Sequence, residues 1–203
     1  YAEAYTNRGN ALKELGQLAE AIDSHEQAIQ LKPDYAEAYN NRGNALKEMG
    51  QLAEAVDSFD QAIQLKPEIV ETYFNHALAK QAQGQLVEAI KSYELALVIN
   101  PDYYVARFNL ALLQLSNDLL SEGFKNYEAR WQWTEFTSVR RQFSIPRWTG
   151  EPLTGKNILL WGEQGIGDEI QFASLIPEFK NLGCNVGIEC APKLVELFQW
   201  TFP

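Results

Sequence analysis

Cysteine is scarce: Cys184 and Cys190 are the only two in 203 residues. Two thiols make neither a disulfide framework nor a zinc site, and the expected setting is reducing and cytoplasmic. Basic residues are short as well, with 17 Lys+Arg against 27 Asp+Glu and a net charge of -10. A nucleic-acid partner would need a basic face, so that class is excluded. No run nears the roughly 18 apolar residues of a membrane span, so no membrane partner is expected. Residues 1–30 lack the basic start and apolar block of a signal peptide. An initiator methionine is missing too, and the chain opens inside a pattern, so it reads as a segment of something longer. Apolar residues are not lacking: at 46% they suffice for a packed core.

The acidity is local. Residues 1–102 hold 8 Lys+Arg against 16 Asp+Glu, whereas residues 103–203 hold 9 against 11. The acidic half is also repetitive. Residues 1–34 and 35–68 are identical at 28 of 34 positions, a weaker copy spans 69–102, and a degenerate fourth spans 103–133. Pro33, Pro67 and Pro101 fall 34 residues apart, as do Gly16, Gly50 and Gly84. Such a period means a stack of small helical units.

Each copy reads as two helices. Asp34 and Glu37 have capping-box spacing at a helix start. Tyr39, Gly43 and Leu46 share one face of the first helix. Gly50 stops it in the left-handed conformation. Ala55, Phe59, Ala62 and Ile63 line the second helix, and Pro67 ends the unit. Gly43, Ala55 and Ala62 are small where two helices must come close. In the fourth copy Asn117 and Asp118 stand in for the turn glycine, Gly123 for an alanine and Arg130 for the next one.

The recurrence of Tyr5, Gly9, Leu12, Gly16, Ala21, Ala28 and Pro33 resembles the tetratricopeptide repeat (TPR). The resemblance implies an α-solenoid of helix hairpins with a concave groove, and a protein or peptide ligand in that groove. Unfinished ends of such an array also offer self-association.

One row of polar residues stands out. Asn7, Asn41, Asn75 and Asn109 occupy one phase in all four copies. Glu37, Asn41, Asn44 and Glu48 follow i, i+4, i+7, i+11 spacing and so share a face, on which Asn10 is the first-copy counterpart of Asn44. A carboxamide offers both a donor and an acceptor and clamps a backbone amide at two points. This row resembles the asparagine ladder of O-GlcNAc transferases, which implies peptide binding by Asn7, Asn41, Asn75, Asn109, Asn10 and Asn44. The competing reading is that these amides hold neighbouring repeats together. Lys13 and Lys47, each followed by Glu, read as solvated helix surface. His25 aligns with Phe59, Tyr93 and Tyr127 and reads as an aromatic substitute. His76 aligns with Arg8, Arg42 and Leu110 and has no sequence-near partner.

Residues 134–156 read as a connector. Periodicity fades, Arg140, Arg141 and Arg147 make it basic, and Phe143 and Trp148 are expected to pack on a neighbour with the charges in solvent. Beyond it, residues 157–203 read as β–α–β–α, the opening of a Rossmann-like doubly wound sheet. Residues 157–161 form a buried parallel strand. Gly165, Ile166 and Gly167 precede a helix carrying Ile170, Ala173, Ile176 and Phe179. Gly183 stops that helix, residues 184–190 form a second strand, and Pro192 starts another helix. Trp148, Trp161 and Phe172 are expected in its core. The glycine loop before a helix suits an anion or phosphate.

Tyr127, Glu128, Trp131, Arg147, Trp148, Glu151, Pro152, Leu153, Gly155 and Lys156, with the run from Glu163 through Asp168 to Ala173, resemble bacterial TPR proteins. In those proteins a C-terminal glycosyltransferase-like domain related to heptosyltransferases follows the repeats. That resemblance implies a general-base role for Asp168 and a sugar nucleotide as donor in the parent protein. The competing reading of Asp168 is a helix N-cap. With the donor-binding half missing, this segment itself is expected to take no cofactor and to transfer nothing. The leading expectation is a protein- or peptide-binding TPR scaffold. The alternatives are part of a TPR-guided transferase and a self-associating scaffold.

Overall fold

The computed structural model describes residues 1–136, 143–163 and 165–202. Arg140, Arg141 and Gln164 lie outside the described residues. The chain divides into two compact units, Tyr1–Thr134 and Glu135–Pro203.

The first unit is a helical solenoid of four hairpins. They are α1 (Ala2–Glu14) with α2 (Leu18–Leu31), α3 (Ala36–Glu48) with α4 (Leu52–Leu65), α5 (Val70–Ala82) with α6 (Leu86–Ile99), and α7 (Tyr104–Leu115) with α8 (Leu120–Tyr127). A short 3-10 turn, Glu128–Trp131, follows α8. Each second helix packs on the first helix of the next hairpin. Successive first helices also approach one another directly, α1 with α3 and α3 with α5. The first helices therefore crowd on the inner side of the stack.

The turns explain the 34-residue glycine spacing. Gly50 has φ +81° and nothing within 4 Å of where a Cβ would stand, so its backbone alone demands glycine. Its N–H reaches Lys47 O at 3.0 Å, and the Gln51 N–H reaches Leu46 O at 2.9 Å. This is a Schellman closure that satisfies two orphan carbonyls. In the fourth hairpin Asp118 takes the same place at φ +60°. The Leu119 N–H then reaches Gln114 O at 3.0 Å.

The capping box does not form. The N-cap of α3 is Tyr35, and no side chain caps it. The Tyr35 hydroxyl instead donates to Glu37 Oε2 at 3.1 Å, which takes the glutamate away from the backbone. Burial, followed by that carboxylate, raises the Tyr35 pKa.

Small residues set the helix spacing. Ala21, Ala28, Ala55, Ala62, Ala89 and Ala96 are fully buried, and so are Phe59 and Tyr93. At Gly43 a Cβ would lie 2.6 Å from Phe59 Cε1, so the aromatic ring occupies the space a larger residue would need.

The second unit holds, among its described residues, one two-stranded parallel sheet. β1 (Asn157–Trp161) pairs with β2 (Asn185–Glu189) in the register Leu159↔Gly187. Two short helices lie between them, α9 (Ile166–Ala173) and α10 (Ile176–Asn181), and α11 (Val195–Thr201) follows β2. The single helix expected after the glycine loop is therefore two. Pro177 in the first turn of α10 explains the break, since it has no N–H to carry α9 forward. Ala173, Ile176, Leu194 and Phe198 form the core, with Leu160, Val186 and Ile188 against it. Trp148 meets Phe179 edge-on at 5.8 Å, and Phe143 leans on Trp161 at 5.7 Å. Of the three residues expected in this core, Trp148 and Phe172 are exposed, and Trp161 lies outside the buried cluster.

Candidate functional site

The asparagine row falls on the four first helices, on the inner side of the stack. Its members differ. Asn7 is exposed on α1, and Asn10, Asn41, Asn44, Asn75 and Asn109 are half-buried. The Asn75 amide donates to Asn40 Oδ1 at 3.4 Å, and the Asn40 amide donates to Asn41 Oδ1 at 3.4 Å. The first of these long bonds ties α5 to α3, and the second lies within α3. Asn109 turns back on its own helix and donates to Val105 O at 2.8 Å. Among the described residues, no hydrogen bond engages the side-chain amides of Asn7, Asn10 and Asn44. The row thus splits into a structural part, Asn40–Asn41–Asn75, and an open part on α1 and α3.

Charge frames the open part. Glu3, Glu37 and Glu71 stand one turn before Asn7, Asn41 and Asn75, and all three are exposed. Lys13 is not merely solvated. Its Nζ sits 3.0 Å from Glu48 Oε1, linking α1 to α3 and neutralising that glutamate. Lys47 is half-buried, and burial lowers its pKa. Lys13, held by Glu48, is thereby withdrawn as a free anchor for an acidic ligand.

A second pattern runs through the second helices, and the sequence expectations do not include it. The Arg42 Nε–H donates to Ser58 Oγ at 3.0 Å, and Arg42 Nη1 lies 3.8 Å from Glu26 of the preceding hairpin. One repeat later His76 takes the same position. Its Nδ1 is 2.8 Å from Ser92 Oγ, and its Nε2 is 3.3 Å from Asp60 Oδ1. His76 therefore has partners, 16 residues away on either side. Burial holds its pKa below the usual histidine value, opposed by the Asp60 carboxylate. The period-34 recurrence of Ser24, Ser58 and Ser92 is the signal in the sequence that marks this clamp.

His25 behaves as an aromatic. It is fully buried, its ring nitrogens have no hydrogen-bond partner, and its pKa falls to about 4. Burial is the main cause, with Lys13 and Arg42 adding to it.

In the second unit the glycine loop precedes α9. Gly165 is the N-cap, so Asp168 is not. Asp168 sits in the first turn, half-buried, and its N–H bonds back to Gly165 O at 3.0 Å. Gly165, Ile166 and Gly167 are exposed. Two carboxylates, Asp168 and Glu169, already occupy the first turn, where they satisfy the helix dipole and oppose a further anion. Glu169 acts structurally, because its Oε2 accepts the Ala191 N–H at 2.8 Å and so fixes α9 against the exit of β2. Among the described residues no group of three or more His, Cys, Asp or Glu side chains is placed to hold a metal ion. Among them, too, no helix is long and apolar enough to cross a membrane.

Comparison with known proteins agrees with the first unit. A family described as "TPR repeat" matches residues 9–50, and one described as "Tetratricopeptide repeat" matches residues 36–69 and 70–103. A curated relative, Protein FlbA of Caulobacter vibrioides, is 39% identical over 67 residues. That match covers 30% of this chain and 11% of the relative. Among solved structures, the crystal structure of MamA superposes with a TM-score of 0.61 at 25% identity, over 64% of this chain and 75% of that one. The first TPR of Spaghetti (RPAP3), bound to the HSP90 peptide SRMEEVD, gives 0.56 at 25% identity, over 58% and 93%. Residues 9–103 of the helical array match tetratricopeptide repeats, and the array is similar to a TPR domain solved with a bound peptide.

Proposed function

We propose that the first unit captures an extended segment of another protein along the inner wall of α1, α3 and α5. The observation that carries this reading is the set of three unengaged carboxamides, Asn7, Asn10 and Asn44, on adjacent first helices. Such amides bond to backbone N–H and C=O without regard to side-chain identity. Each bond adds only about 1 kcal/mol net, so affinity comes from several rungs together.

The ligand is neutral or basic. Glu3, Glu37 and Glu71 line the same wall, while Lys13 is paired with Glu48. The peptide bound to the Spaghetti TPR carries three acidic residues, and this wall repels that charge pattern. The test is fluorescence anisotropy with a labelled nine-residue peptide of alternating Lys, Ser and Gly, set against the same peptide with Glu for Lys. Preference for the Lys peptide, weakened by salt, supports the reading. Equal affinity or preference for the Glu peptide contradicts it. A cytoplasmic location and a scaffolding role fit such sequence-tolerant capture.

A second reading concerns the parent protein. Asp168 lies just past the C-terminal end of β1, where doubly wound sheets bind ligands, and this position supports a Rossmann-like transferase in which Asp168 is the general base. Asp168→Asn in the full-length parent, given a sugar-nucleotide donor, should then abolish transfer. Unchanged turnover would remove Asp168.

A further inference from the structure

The clamp between successive second helices is broken at one place. Between α2 and α4 the gap is bridged by Arg42, which meets an acid on one side and a serine hydroxyl on the other. Between α4 and α6 it is bridged in the same way by His76. Between α6 and α8 the corresponding residue is Leu110, which is buried and carries no polar atom on its side chain. The acid persists as Glu94, in phase with Glu26 and Asp60. The serine is replaced by Asn126, whose amide donates to Gln114 Oε1 at 2.9 Å and leaves its carbonyl oxygen to accept.

A cleft of about 330 Å³ opens here. Leu97, Val98 and Leu110 supply its apolar surface, and Glu94, Glu122 and Asn126 supply acceptors. Lys125 is the cation in the lining, outnumbered by the two glutamates. Val98 stands where the first two copies have Gln30 and Gln64, and it is 77% exposed. An apolar floor under two carboxylates suits a side chain with an aliphatic stem and a cationic, multi-donor head.

We propose that this cleft receives an arginine side chain from a partner protein, supplying from outside the cation that Arg42 and His76 supply from within. The guanidinium pairs with the Glu94 carboxylate and donates to Asn126 Oδ1, as Arg42 pairs with Glu26 and donates to Ser58 Oγ. Its methylenes lie on Leu97, Val98 and Leu110. This contact lies between second helices, away from the asparagine wall, and stands independently of the groove reading.

The experiment titrates the isotope-labelled chain with acetyl-Gly-Ala-Arg-Ala-Gly-amide and with its citrulline counterpart, following backbone NMR shifts of Glu94, Val98, Leu110 and Asn126. Citrulline keeps the shape and loses the charge. Saturable shifts with the arginine peptide are expected, at least tenfold weaker with citrulline and in Glu94→Gln. They should vanish in Leu110→Arg, which fills the cleft from its own backbone. Glu94 is exposed, so Glu94→Gln tests the contact even if Leu110→Arg fails to fold. Equal affinity for the citrulline peptide, full affinity in Glu94→Gln, or no saturable shift at these residues would overturn the proposal.

Discussion

The imidazole of His25 lies flat against Gly9: a Cβ on that glycine would stand 2.5 Å from Cε1 of the ring. One repeat on, Phe59 and Gly43 stand in the same relation. The site is thus shaped for a phenyl ring, and the histidine brings two nitrogens that find no partner. Its folded-state pKa of about 4, against 6.5 for an ordinary histidine, means that the unfolded chain binds a proton that the folded chain refuses. Stability contributed here is intact above pH 6.5 and is lost as the pH falls toward 4, a loss of about 3 kcal/mol at most. His25→Phe should stabilise the array by about 1–3 kcal/mol, by removing two buried unpaired groups. It should also flatten the pH dependence of urea midpoints across that window. An unchanged slope would place the titration elsewhere.

Asp118 holds a left-handed backbone that glycine holds in the other three turns. Asp118→Gly should therefore raise stability by about 0.5–1 kcal/mol, seen as a higher denaturation midpoint with an unchanged slope. Gly50→Ala should lower it by about 1 kcal/mol for the mirror-image reason, since nothing crowds the Cβ and strain at φ +81° is the whole cost.

Gly43→Ala is different in kind. The backbone there is helical and tolerates alanine, yet the new methyl meets three atoms of the Phe59 ring within 2.9 Å. The third and fourth hairpins carry Ala77 and Ala111 in this phase opposite tyrosines, so the space can be remade, at the expense of moving a buried ring. A loss of about 1–3 kcal/mol is expected, and Gly43→Ala with Phe59→Leu should recover part of it.

Much of the array is legible in the sequence because each hairpin is a local problem posed four times. Gly16, Gly50 and Gly84, the Asp118 substitution, and the aromatic phase of His25 are all readable from spacing. So is β1, which runs over the five residues the apolar run marks. What escapes reading depends on neighbours across the 34-residue period. The His76–Asp60 contact and the Lys13–Glu48 pair join different hairpins, and charge counted along one helix does not reveal them. The Asp34–Glu37 capping box fails because the Tyr35 hydroxyl competes for the glutamate. Asp168 reads as a cap by residue type, but Gly165 starts the helix three residues earlier. The asparagine row is visible as a row, whereas its division into bonded and open members requires coordinates.

The central claim is that the open amides of α1 and α3 grip a visiting backbone. The most direct measurement is the affinity of the Lys-Ser-Gly peptide for Asn7→Ala/Asn10→Ala/Asn44→Ala, taken beside its melting temperature. Loss of three net hydrogen bonds predicts roughly a hundred-fold weaker binding with the melting temperature nearly unchanged. Undiminished affinity, or a steep fall in melting temperature accompanied by normal binding in the folded fraction, would contradict it.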